Sequence, residues 1–170
     1  AMSGVTNDLI NKSKKISVNF SDAEYDVLVS SGEQVACSLI AGRLIHKGYK
    51  TRSWLSWQVP ITTKGPHKNS RINHINKNRM LKYLKDGGTP IITGFQGIND
   101  ENRVTTIGRG GSDASAIMIA KFFKAQRCVI YTDVEGVYTT DPNKLNKAKK
   151  IKVISYEEML EMASLGAKVM

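Results

Sequence analysis

Gly108-Arg109-Gly110-Gly111-Ser112-Asp113 sets a glycine-rich turn directly before a segment with helical apolar periodicity. The first N–H groups of a helix have no partner within it, and the dipole is positive at that end, so such a turn suits an anion. Arg109 adds a planar fork matched to a carboxylate or a phosphate. The segment lacks the Gly-Lys-Ser/Thr of a Walker loop. Asp113 also stands where the dinucleotide fingerprint places its last glycine. The same residues read equally as a plain tight turn in which Ser112 or Asp113 caps the helix, worth about 1 kcal/mol.

Three further stretches carry polar groups where a ligand would use them. In Ser30-Ser31-Gly32-Glu33, Glu33 leads into an apolar helix although Gly32 costs that helix about 1 kcal/mol relative to alanine. Glu33 either complements a helix dipole or receives a ligand ammonium. The stretch from Tyr131 through Thr132, Asp133, Gly136 and Tyr138 to Asp141-Pro142 reads as strand, turn and polar loop. Its hydroxyls and carboxylates suit a nucleotide's sugar and base, but they suit an ordinary surface loop as well. Gly166-Ala167-Lys168 ends the last helix, where a lysine commonly offsets the C-terminal carbonyls. His46, His67 and His74 show no metal-ligand spacing and read as lone surface histidines, so no metal site is expected. Cys37 and Cys128 sit in apolar stretches without a C-x-x-C pairing and read as small buried hydrophobes.

Strands alternating with helices must position these groups. Helices are expected at 5–15 and in a longer segment where Ala36, Leu39, Ile40 and Leu44 form one apolar face, stopped by Gly48. Strands are expected at 51–57, 71–75 and 89–95, with a helix at 77–85 closed by Gly87-Gly88. Residues 103–107 read as the returning arm of a hairpin. A helix follows from 112 to about 125, its buried side marked by Ala116, Ile119, Ala120 and Phe123. Residues 128–132 read as a wholly apolar central strand, and 151–154 as another. Ser155 and Glu158 have capping-box spacing for a last helix with a stripe of Tyr156, Met159, Leu160 and Ala163. The alternation favours a mostly parallel sheet covered on both faces, with ligands at the carboxyl ends of its strands.

The chain has 170 residues, 41% of them hydrophobic and 24% charged, which fits one globular domain and argues against wholesale disorder. No apolar run approaches the roughly 20 residues of a membrane span, and a cytoplasmic location is expected. The net charge of +10 is spread along the chain without interleaved aromatic residues. It therefore reads as solvated helix faces, with a small anionic ligand a more economical partner than nucleic acid.

Six stretches in order resemble the catalytic domain of the aspartate kinases (aspartokinases), in the amino-acid kinase superfamily. They are Ala1-Met2-Ser3-Gly4-Val5-Thr6-Asn7, Val29-Ser30-Ser31-Gly32-Glu33-Gln34, Gly94-Phe95-Gln96-Gly97, Thr106-Ile107 with the turn through Asp113, the loop from Thr132 to Pro142, and Ser155-Tyr156-Glu157-Glu158 running to Lys168. The likeness covers nearly the whole chain. It implies a three-layer α/β/α sandwich around a mostly parallel sheet, and transfer of a phosphoryl group from ATP, with Mg²⁺, to the side-chain carboxylate of L-aspartate. That is the first step toward lysine, diaminopimelate, threonine and methionine. Such a nucleophile is already ionised at neutral pH, so catalysis rests on alignment and charge neutralisation rather than on a general base.

By the same resemblance, Arg109 clamps the substrate α-carboxylate with Thr6, Gly110 and Ser112, Glu33 takes the α-ammonium, and Phe95 lines the pocket. Asp113 orients the cationic groups around the phosphates. Thr132, Asp133, Tyr138, Asp141, Lys168 and Val169 contact the nucleotide, and Lys168 reaches its phosphates. Residues 1–100 then form mainly the amino-acid half of one partial domain and 101–170 mainly the nucleotide half. The family's opening Lys-Phe-Gly-Gly-Thr-Ser loop and its closing ACT modules have no counterpart here, so the expected fold is truncated at both ends. Asn143 replaces the arginine that many relatives carry after Asp-Pro. A homo-oligomer is expected. The rival reading is an impaired remnant that binds nucleotide or a partner chain without efficient turnover.

Overall fold

The structure is a computed structural model that describes residues 2–108, 110–132, 136–141 and 144–164. Contacts divide the chain into two compact units, Ala1–Cys128 and Val129–Met170. In the first unit the order is α1 (Val5–Ile16), α2 (Asp22–His46), β1 (Thr51–Trp54), β2 (Ile61–Lys64), β3 (Arg71–Ile75), α3 (Asn78–Lys85), β4 (Thr89–Ile92), β5 (Gln96–Ile98), β6 (Val104–Thr106) and α4 (Gly111–Phe123). The described part of the second unit contains α5 (Tyr156–Ser164).

The strands form a parallel pair, β1–β4, and a sheet in the order β3–β2–β5–β6. This pairing is more mixed than the mostly parallel sheet expected from the alternation. β2 runs parallel to β5 but antiparallel to β3, and β5 is antiparallel to β6. Connection length explains the difference, because the short links from β2 to β3 and from β5 to β6 permit only hairpins. The longer passages from β1 to β4 and from β2 to β5 allow parallel pairing. β2 itself was not anticipated, since its four residues are half threonine and show no clear alternation.

The core collects Trp54, Val59, Ile61, Ile75 and Met80, against which Tyr83, Ile92, Ile119, Phe122 and Phe123 pack. Trp54 meets the Tyr83 ring edge-on at a centroid distance of 5.6 Å. Fully burying side chains of this size contributes roughly 1.5–3 kcal/mol each. Gly88 is required beside them, because a Cβ there would collide with the Tyr83 ring. α2 packs against β1, β4 and β6, while α4 packs against β3 and β5.

α2 does not bury the expected face. Leu39 and Ile40 are exposed, and the buried positions are Asp26, Val29, Ser30, Gly32, Cys37 and Ala41. Apolar side chains occur all round this helix, so periodicity alone does not select a side. Close approach to the strands favours the face with small residues. Cys37 donates its S–H to the Ile91 carbonyl at 3.0 Å, and burial pushes its thiol pKa up.

From the end of the first unit into the second, residues 128–132 and 151–154 belong to no strand ladder, contrary to expectation. Tyr131 and Val153 are exposed, as is Cys128. A strand is stable only through its neighbour's hydrogen bonds, and here the described pairing is an isolated Tyr138–Lys150 bridge. Thr139 N–H donates to the Lys149 carbonyl at 3.0 Å, and Ile151 N–H to that of Val137 at 2.8 Å. The capping box of α5 forms as anticipated: Ser155 N–H donates to Glu158 Oε2 at 2.8 Å and Glu158 N–H to Ser155 Oγ at 3.1 Å. Tyr156, expected in the apolar stripe of α5, is exposed instead.

Candidate active site

A cavity of about 490 Å³ opens where α1, α2 and the start of α4 come together. Thr6, Glu33, Phe95, Gly110, Ser112 and Asp113 all line it, so four segments distant in sequence converge on one space. Asn7, Ile10, Tyr25, Lys68, Thr106, Gly108 and Gly111 complete the described wall.

The entry to α4 is built from backbone. Its N-cap is Gly110, in left-handed conformation at φ 71°, with no side-chain cap bond. Gly108 is left-handed as well, at φ 65°. Left-handed backbone is the conformation glycine adopts at least cost. Neither Ser112 nor Asp113 is the cap, contrary to the tight-turn reading. Ser112 instead donates its hydroxyl to Glu33 Oε1 at 3.0 Å, joining α4 to α2 across the cavity. The first-turn amides of a helix capped this way are not occupied by a capping side chain.

Phe95 is held in an unusual conformation. Its φ is 66°, a region costly for a bulky residue. Two bonds fix it there: Phe95 N–H donates to Ser115 Oγ at 2.9 Å, and Ile107 N–H donates to the Phe95 carbonyl at 3.0 Å. Ser115 in turn donates to the Gly111 carbonyl at 2.6 Å. A Cβ on Gly111 would lie 2.6 Å from the Phe95 ring, so this glycine makes room for the aromatic wall.

The wall also holds groups that the sequence reading did not single out. Lys68 has a left-handed φ of 65°, and its ammonium pairs with Asp22 and lies over the Tyr25 ring at 4.6 Å. Among the described lining residues it is the only cation. Behind it, Asp26 is fully buried. His67 is not a lone surface histidine, because its Nδ1 lies 2.6 Å from Asp26 Oδ2. A signal for Asp26 was present, since Asp26, Ser30 and Glu33 follow i, i+4, i+7 and share a helix face. Nothing local marks the loop carrying His67 and Lys68.

Arg109, Asp133, Lys168 and Val169 lie outside the described residues. Thr132, Tyr138 and Asp141 belong to the second unit. Thr132 and Asp141 are exposed and Tyr138 is half-buried. The Asp141 carbonyl accepts from Lys144 N–H and Leu145 N–H, each at 3.0 Å, which turns the loop. The described residues contain no cluster of three or more His, Cys, Asp or Glu able to hold a metal ion. None of the described helices is long and apolar enough to cross a membrane.

The chain belongs to the amino acid kinase family, whose pattern matches residues 1–170. Within that family it is homologous to aspartokinases along its full length. It is 49% identical over 170 residues to an aspartokinase of Geobacillus stearothermophilus, covering 100% of this chain and 42% of that protein. An aspartokinase of Rickettsia felis is 51% identical over 173 residues, again across the whole of this chain and 43% of the relative. The crystal structure of E. coli aspartokinase III in complex with aspartate and ADP superposes with a TM-score of 0.84 at 31% identity, covering 96% of this chain and 37% of that one. The fold is therefore the α/β amino acid kinase fold. The chain spans less than half the length of these relatives.

Proposed function

We propose that this protein takes part in ATP-dependent phosphorylation of the side-chain carboxylate of L-aspartate, as the amino-acid-binding and phosphoryl-transfer region of an aspartokinase. The observation that carries the reading is the Ser112–Glu33 hydrogen bond of 3.0 Å inside a cavity that also gathers Thr6, Phe95, Gly110 and Asp113. An amino-dicarboxylate has one cationic and two anionic ends. Glu33 offers the counter-charge for its ammonium. Arg109, between two glycines of the turn, offers a fork for the α-carboxylate, and Thr6 and the amides near Gly110 and Ser112 complete that clamp. Phe95 fills the apolar side, and its fixed backbone makes the pocket rigid before substrate arrives.

With the side-chain carboxylate as nucleophile, no base is needed, and the protein's task is alignment and charge neutralisation. Asp113, in the first turn of α4, orients the cationic groups around the phosphates. Thr132, Asp133, Tyr138, Asp141 and Val169 are proposed to hold the nucleotide, with Lys168 reaching its phosphates. Mg²⁺ typically keeps one or two protein carboxylates and takes its other ligands from phosphate and water. Bound with ATP, it neutralises phosphate charge. One partial domain is proposed, with residues 1–100 mainly serving the amino acid and 101–170 mainly the nucleotide. The reading carries with it a cytoplasmic location and a homo-oligomer.

The test is to trap the acyl phosphate. Incubation with ATP, Mg²⁺, L-aspartate and hydroxylamine is expected to yield aspartyl hydroxamate, and Glu33→Ala is expected to abolish it. Nucleotide binding without hydroxamate would favour the binding-only alternative. Failure to bind L-aspartate at all would overturn the assignment.

A further inference from the structure

Asp26 is a carboxylate with no solvent exposure, seven residues before Glu33 on α2, and none of the roles above uses it. Burying such a group is costly unless every lone pair is served. Three residues serve it. Thr106 Oγ1 donates to Oδ1 at 2.6 Å, His67 Nδ1–H donates to Oδ2 at 2.6 Å, and Lys68 N–H is shared between both oxygens at 3.1 Å. The donors come from two segments besides α2: the loop 65–70 and the last residue of β6. Thr106 leads within two residues to Gly108, where the glycine turn begins.

The same two segments touch independently. Ser70 N–H donates to the Thr106 carbonyl at 2.9 Å. A Cβ on Gly108 would lie 3.0 Å from Asn69 Oδ1 and 3.3 Å from the Lys68 carbonyl, so the loop lies directly against the turn. Lys68 and Thr106 both line the cavity while bonded to Asp26 behind it. The carboxylate therefore sits at a junction where the helix bearing Glu33, the loop bearing Lys68 and the strand feeding the Gly108 turn are pinned together.

We propose that Asp26 is a positioning residue for the aspartate pocket: through Thr106, His67 and the Lys68 amide it holds these three walls at the spacing that lets Glu33 and the Gly108–Ser112 turn grip one amino acid. The inference rests on the amino-acid reading of the cavity. Charge-assisted bonds in a buried site are strong and directional, so losing one is expected to loosen the wall before it unfolds the protein.

Calorimetric affinities for L-aspartate and ADP, with melting temperatures, test this in Thr106→Val, Thr106→Ser and His67→Gln. Thr106→Val keeps the side-chain shape and removes one donor to Asp26. It is expected to weaken L-aspartate binding about tenfold, with ADP affinity changed less than about twofold. Thr106→Ser, which retains the hydroxyl, should restore binding, and His67→Gln should reproduce the selective loss. A purely structural role would instead lower the melting temperature and both affinities together, and that pattern would overturn the proposal, as would unchanged L-aspartate binding in Thr106→Val and His67→Gln. If the unsubstituted protein binds no L-aspartate, the amino-acid reading itself fails. Hydrogen exchange at the Lys68 amide then decides the pinning: faster exchange in Thr106→Val that Thr106→Ser reverses supports it, and unchanged exchange overturns it.

Discussion

Two helices of this protein each have a serine near their first turn and a glutamate for it to meet, and the two pairs do different work. At α5 the partners are three residues apart. Ser155 and Glu158 exchange reciprocal bonds with each other's backbone N–H, so both side chains are spent on starting the helix. At α4 the glycine backbone of Gly110 begins the helix, and Ser112 reaches 79 residues back in sequence to Glu33. A cap satisfied locally stabilises its own helix. A serine committed to another helix spaces two walls of a cavity and leaves the first-turn amides without a side-chain cap.

That contrast can be broken or sharpened by substitution. The largest effect is expected at the turn itself: Arg109→Ala should lower kcat/KM for L-aspartate about 100-fold or more in the hydroxamate assay, because it removes a fork to a charged group. Gly111→Ala comes next. Its methyl must displace the Phe95 ring or the helix start, at a cost of about 1–3 kcal/mol that denaturant unfolding should read, with weaker L-aspartate binding alongside.

Ser112→Ala should weaken L-aspartate binding roughly tenfold, as for a hydrogen bond to a charged group, with little change in melting temperature. Ser155→Ala should do the opposite. It should cost about 1 kcal/mol at the start of α5, seen as faster amide exchange there, and leave L-aspartate affinity unaltered. If Ser112→Ala destabilises as Ser155→Ala does, the two helix starts are equivalent and the comparison fails.

The smallest effect is a pH dependence confined to α5. The Ser155 N–H, and then its hydroxyl, hold the Glu158 carboxyl below the ordinary glutamate range. Its folded pKa is thus depressed, so its contribution is complete above that range and is lost as the pH falls through it to the lower folded value. Protection factors at the first turn of α5, taken relative to the intrinsic exchange rate at each pH, should fall over that acid interval in the unsubstituted protein. Glu158→Gln should flatten the response.

How much of this was legible beforehand follows the range of each signal. The end of α2, α3 and the cap of α5 were readable because the signals lie within a turn of the feature: Gly48 after α2, Gly87-Gly88 after α3, and Ser155 with Glu158 before α5. The hairpin return at β6 was readable for the same reason. Strands 128–132 and 151–154 were not, because apolar β-branched residues announce a capacity to pair and say nothing about a partner. The side of α2 that turns inward was also hidden. Val35, Leu39, Ile40 and Ile45 are as apolar as anything it buries, and the choice belongs to the strands that Ser30, Cys37 and Ala41 approach.

The site divides along the same line. Residue types alone named the glycine turn, Glu33 and Phe95 as candidates, since an anion site and a counter-charge are properties of short segments. That Ser112 bonds Glu33 rather than capping α4, and that Phe95 takes a left-handed backbone, are facts of tertiary structure. So is the burial of Asp26 under Thr106, His67 and Lys68. Each depends on groups that are separated along the chain and come within hydrogen-bond distance only when the chain folds.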